Sequence, residues 1–187
     1  FLQQLVDECG SLCEDGGCTS SVGDVNEDGN LNIQDLITMV NHILGSSVLA
    51  DCALEAADMN MDGTINIQDL ISLVNAILGS ARSVALNGHA EVEYIISGQD
   101  LIIHVNSDVD VVGIELSLLN DLPVEIQLKD NSHISQESHS INGITRYLAY
   151  SMFNKPFDSR TTEILIQSAG NLSMDDMQIT VADINGD

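Results

Sequence analysis

Residues 24–45 read DVNEDGNLNIQDLITMVNHILG, and residues 58–79 read DMNMDGTINIQDLISLVNAILG. Fifteen of the 22 aligned positions are identical, at an offset of 34 residues. Each copy opens with oxygen-bearing side chains at alternate positions and then a glycine: Asp24, Asn26, Asp28 and Gly29, and Asp58, Asn60, Asp62 and Gly63. A carboxylate closes each twelve-residue loop, Asp35 in the first and Asp69 in the second. That spacing suits a hard cation. Ca²⁺ takes about six to eight oxygens, and such a loop offers them from positions 1, 3, 5, 7, 9 and 12. Position 7 contributes a backbone carbonyl, from Asn30 and Thr64, and position 9 holds Asn32 and Asn66. Glycine at position 6 permits the sharp turn between positions 5 and 7. One ion per loop, two in all, is the expectation.

Behind each loop the pattern turns helical. Leu36, Ile37, Val40, Ile43 and Leu44 form one apolar stripe, and Leu70, Ile71, Val74, Ile77 and Leu78 form its repeat. Asn32 and Asn66 stand as N-caps with Asp35 and Asp69 three residues on, and Gly45 and Gly79 stop the helices. Residues 19–23 and 55–57, which precede the loops, show no adequate helical run. An ordinary EF-hand has a helix there and Glu at position 12.

Two loop–helix repeats closed by Asp resemble a type I dockerin module, over residues 23–79. The resemblance implies antiparallel helices, Ca²⁺-dependent folding and docking onto a cohesin, which is a β-sandwich. It also implies partner recognition at loop positions 10 and 11, here Ile33 and Gln34, and Ile67 and Gln68. Their identity suggests a surface with two-fold pseudo-symmetry. Leu36, Met39, Leu70 and Leu73 flank either that contact or the core between the helices, a choice the sequence leaves open.

The chain has 187 residues, 44% hydrophobic, with 3% aromatic and no Trp. It is therefore a folded protein with an aliphatic core and few stacking platforms for sugars or bases. Five Lys plus Arg against 29 Asp plus Glu give a net charge of −24. That excess argues against nucleic acid or an anionic membrane as partner. No apolar run is long enough to cross a bilayer. The first residue is Phe1 and no signal peptide is evident, which reads as a mature or partial chain.

Residues 1–8 could form two helical turns. Cys9, Cys13 and Cys18 follow, and Cys52 lies between the repeats. Two disulfides with three pairings are one reading. A zinc site is the rival, disfavoured by the C-x3-C-x4-C spacing and by the lack of a nearby His. At least one bond is expected to tie Cys52 to the N-terminal segment, which puts the chain in an oxidising, extracellular or cell-surface setting.

After a short linker at 80–87 the period changes to two. Val92, Tyr94 and Ile96 alternate, then Leu101, Ile103 and Val105, then Ile114, Leu116 and Leu118. Further strands are expected at 124–128, 145–150, 163–168 and 177–182. Seven or more short strands predict a β-sandwich. The runs NGITRYLAYSMFNKPF, TTEILIQSAG and MQITVADINGD resemble cohesin-like sandwich domains of secreted bacterial proteins, over about residues 88–187. The expected architecture is α+β and multi-domain. A Cys-rich segment at 1–22 leads into a small all-α dockerin-like calcium module at 23–80, and an all-β cohesin-like sandwich follows at 88–187.

The five histidines (His42, His89, His104, His133 and His139) are scattered, and no nucleophile elbow, phosphate loop or HExxH appears, so no enzyme activity is expected. Asp183, Asn185 and Asp187 match positions 1, 3 and 5 of the calcium loop; a strand end is the preferred reading. Asn171 begins the one N-x-[ST] sequon and is a candidate glycosylation site. Two functions are carried forward. In the first, an extracellular assembly protein docks its module on the sandwich of a neighbouring copy, giving a head-to-tail polymer or filament. In the second, the chain is a calcium-stabilised accessory module that binds a glycan or a separate cohesin-type scaffold.

Overall fold

A computed structural model describes residues 18, 20–79, 88–120, 124–129, 133–158, 160–167, 169 and 172–186. Cys9, Cys13, the linker at 80–87, Asn171 and Asp187 lie outside these residues. Among the described residues, three α-helices come first: α1 (Ile33–Ile43), α2 (Cys52–Ala57) and α3 (Ile67–Leu78). Eight strands follow: β1 (Ala90–Ser97), β2 (Asp100–Ser107), β3 (Val111–Leu119), β4 (Glu125–Leu128), β5 (Ser135–Ile141), β6 (Ile144–Tyr150), β7 (Thr161–Gln167) and β8 (Met177–Asp183).

Asn32 and Asn66 cap α1 and α3 as expected. Each side chain accepts a bond from the helix's second residue, and Asp35 and Asp69 complete capping boxes. Gly79 ends α3 in the left-handed region, at φ +67°, a conformation glycine adopts without a Cβ clash. One expectation is corrected. Residues 52–57 form the six-residue helix α2, ahead of the second loop. Its sequence CALEAA lacks an amphipathic stripe long enough to show a period. It is instead held by burial of Ala53, Ala56 and Ala57 and by the Cys18–Cys52 disulfide.

The β-rich region consists of two antiparallel four-stranded sheets, β1-β2-β7-β4 and β5-β6-β3-β8. Ile103, Val105, Ile164 and Ile166 of the first sheet share a core with Ile114, Leu116, Leu118 and Tyr147 of the second. That is the period-two expectation realised as a sandwich. Strand β5, SQESHSI, was not anticipated. Among the described residues it is an edge strand, almost wholly polar, that pairs only with β6, across the turn at Asn142 and Gly143. An edge strand with little to bury carries no hydrophobic alternation to read.

A second core lies outside the sandwich. Leu36, Met39, Leu70 and Leu73 all belong to it, which settles the choice left open above in favour of the interior. It also takes in Val112, Leu148, Tyr150 and Ala182 from the outer face of β5-β6-β3-β8. The helical module therefore sits on that sheet, with α3 against β3, β6 and β8. Gly113 makes the fit close. A Cβ there would meet Ile67 Cγ1 at 2.7 Å and Ile71 Cγ1 at 3.1 Å. Past β8, residues 184–186 turn onto α3: Asn75 Nδ2 donates to the Ile184 carbonyl at 3.0 Å, and Gly186 abuts Ser72. Asp183 thus closes the strand.

Gly113→Val is expected to push α3 off the sheet and cost roughly 1–3 kcal/mol, the usual overpacking penalty. Urea denaturation reads that loss directly. Cys52→Ser, which opens a loop of 34 residues, is expected to cost about 2–4 kcal/mol in the same measurement.

Candidate metal centre

The turns at positions 1 to 7 of the two loops share one hydrogen-bond pattern. Asp24 spans the first turn, accepting from the Asp28 and Gly29 amides at 3.0 Å each. Asp58 does the same for Asp62 and Gly63, at 3.1 and 3.0 Å. The position-3 amide oxygens, of Asn26 and Asn60, accept from the position-5 amides at 3.0 and 2.9 Å. Position 5 reaches forward in turn: Asp28 accepts from the Asn30 amide at 2.8 Å, and Asp62 from that of Thr64 at 2.7 Å. Gly29 and Gly63 have φ of +82° and +86°, as the turn at position 6 requires.

The closing carboxylates tie both ends of each loop to the helix behind it. Asp35 accepts from the Asn26 amide at 3.1 Å and from that of Asn32 at 2.9 Å. Asp69 accepts from Met59 at 2.8 Å, Asn60 at 3.2 Å and Asn66 at 3.0 Å. Both carboxylates are fully buried. Burial pushes the Asp69 carboxyl up from the usual carboxylate range, the three amide donors oppose this, and the Asp58 charge adds to it. The exposed Asp28 moves down, chiefly because the Asn30 amide and the Asn26 side chain donate to its charged form.

The donor set fits a hard divalent cation. Asp24, Asn26, Asp28, Asn32 and Asp35 bring side-chain oxygens to one loop, with the Asn30 carbonyl beside them. Asp58, Asn60, Asp62, Asn66 and Asp69, with the Thr64 carbonyl, repeat the set. No group of three His, Cys, Asp or Glu among the described residues gathers into a metal site from those residue types alone. Here amide and carbonyl oxygens intervene between the carboxylates, a mixture suited to calcium rather than zinc. Residues 22–78 match the family model described as Dockerin type I domain. The match covers under a third of the chain. No curated protein matches. Dockerin type I domains are non-catalytic, calcium-binding modules that pair with cohesin domains. The two-sheet region has no match to a cohesin family model.

The four residues read as partner-binding do not share one environment. Ile33 is 44% exposed and Gln34 faces solvent, whereas Ile67 is fully buried and Gln68 partly so. Reading the repeats alone overlooked what covers Ile67: Gly113 and Glu115 of β3. The signal lay in the strand's own sequence, VVGIELSLL, where a glycine interrupts an apolar run and marks a close backbone approach. Glu115 accepts from the amide of Ile67, the first residue of α3, at 3.1 Å. Burial pushes its carboxyl up to about 7, with the Asp69 charge adding; the Ile67 donor and the Arg146 guanidinium act against it. Arg146 sits at the far end of the other helix, where a Cβ on Gly45 would meet its Nη1 at 2.7 Å.

Asp69→Asn places an amide donor against three backbone donors. It is expected to cost about 1–3 kcal/mol and to abolish the calcium-induced rise in Tm that the second loop contributes. Thermal denaturation with and without Ca²⁺ checks both.

Proposed function

We propose that the chain is an extracellular, calcium-dependent docking protein in which the helical module is the plug and the sheet β5-β6-β3-β8 is its receptor. The observation that carries this reading is the seat of α3: Ile67 and Ile71 lie over Gly113, and Leu148, Tyr150 and Ala182 share their core. Two Ca²⁺ ions, one held by Asp24, Asn26, Asp28, Asn30, Asn32 and Asp35 and the other by Asp58, Asn60, Asp62, Thr64, Asn66 and Asp69, would offset repulsion among the loop carboxylates and hold both helices at the angle the receptor needs. The contact joins two different patches, so it is heterologous. It closes within one chain, as here, or passes from copy to copy and builds a head-to-tail polymer. The Cys18–Cys52 bond supports an oxidising, extracellular setting.

A second reading rests on the other repeat. Ile33 and Ile37 are 44% and 54% exposed, and with Gln34 they leave the first helix free to take a separate cohesin-type domain. In that reading the chain is an accessory module of a larger secreted assembly.

Sedimentation in millimolar Ca²⁺ and then in excess EGTA tests the docking reading. The expected result is a compact particle with calcium, joined by head-to-tail oligomers as protein concentration rises. On chelation the oligomers dissolve and the chain expands. A particle whose size ignores both chelator and concentration overturns the proposal.

A further inference from the structure

The two loops share their ligand types, yet among the described residues only the second has a carboxylate of the sandwich at its helix. Glu115 reaches the Ile67 amide, directly after the position-9 residue Asn66 and two residues before Asp69. No sandwich carboxylate stands at the Ile33 amide among the described residues, and Ile33 itself is 44% exposed. The helix start is the positive end of α3, and a carboxylate there is favoured. The same carboxylate also stands in the field of Asp69, whose own charge is buried. A divalent ion in the second loop offsets that repulsion. The ion and the seated sandwich therefore favour each other.

We infer that Glu115 is a positioning residue that couples occupancy of the second calcium loop to docking of the sandwich, so that the two loops bind the ion unequally. This rests on the docking reading above. Coupling of this kind is reciprocal. Docking tightens the second loop for Ca²⁺, and Ca²⁺ in the second loop tightens docking, while the first loop stays outside the cycle. Arg146, which lowers the cost of the Glu115 charge, sets the opposite sign at the same place: its removal leaves the field around the second loop more negative.

Calorimetric titration of the full chain with CaCl₂ tests the inference, one loop at a time, at a pH well above the value of about 7 to which burial raises Glu115, so that its carboxylate is charged. Asp24→Ala silences the first loop and Asp58→Ala the second. In the Asp24→Ala chain, Glu115→Gln is expected to weaken Ca²⁺ binding at least about fivefold, the low end of ordinary coupling. In the Asp58→Ala chain it is expected to change nothing. Arg146→Met is expected to tighten the second loop, and it carries the test should Glu115→Gln prevent folding. Equal effects of Glu115→Gln on both loops, no effect on either, or weakening by Arg146→Met would overturn the coupling while leaving calcium binding intact. A parent chain that takes up no Ca²⁺ would instead overturn the docking reading, and the coupling with it.

Discussion

The rest of the structure depends on two buried carboxylates. Asp35 and Asp69 each gather backbone amides from the start and the end of a loop while sitting in the first turn of the helix behind it. One side chain thereby sets loop shape, helix start and the placing of the loop's last carboxylate together. Burial of a carboxylate is costly unless donors or a cation answer it. Amides answer part of that cost here, and the oxygen-rich remainder of each loop is arranged for an ion to answer the rest.

From that knot the packing follows. With the loops fixed, α1 and α3 present Leu36, Met39, Leu70 and Leu73 to a common interior. The faces of α3 left over meet the sandwich, and the meeting is electrically matched as well as apolar. Glu115 stands at the positive start of α3, and Arg146 lies at the end of α1, where the helix dipole is negative. One sheet face thus reads both helix ends, which favours a single seating of the module over a sliding one.

Much of this was legible from spacing. The duplicated loops, the Asn caps, the glycine stops and most of the alternating strands all show in the sequence, because each is a local rule with a short period. What did not show was non-local or weakly patterned. Helix α2 is too short for a period, and β5 buries too little on either face to alternate. The unequal burial of Ile33 and Ile67 could not be read from the repeats themselves. Both sit in the same phrase, NIQDLI, and only the strand 48 residues beyond Ile67 distinguishes them. The glycine in VVGIELSLL was the one local hint of that contact.

The covering of a single repeat has a consequence for how the duplicated halves tolerate change. Position 67 must satisfy a loop, a helix and a glycine-floored sheet at once, so its volume and shape are bounded on every side. Position 33 is half-exposed and carries no such bound from the sheet among the described residues. Two phrases spelled with the same letters therefore have unequal freedom to vary, and new binding preferences could be grafted onto the first without disturbing the second.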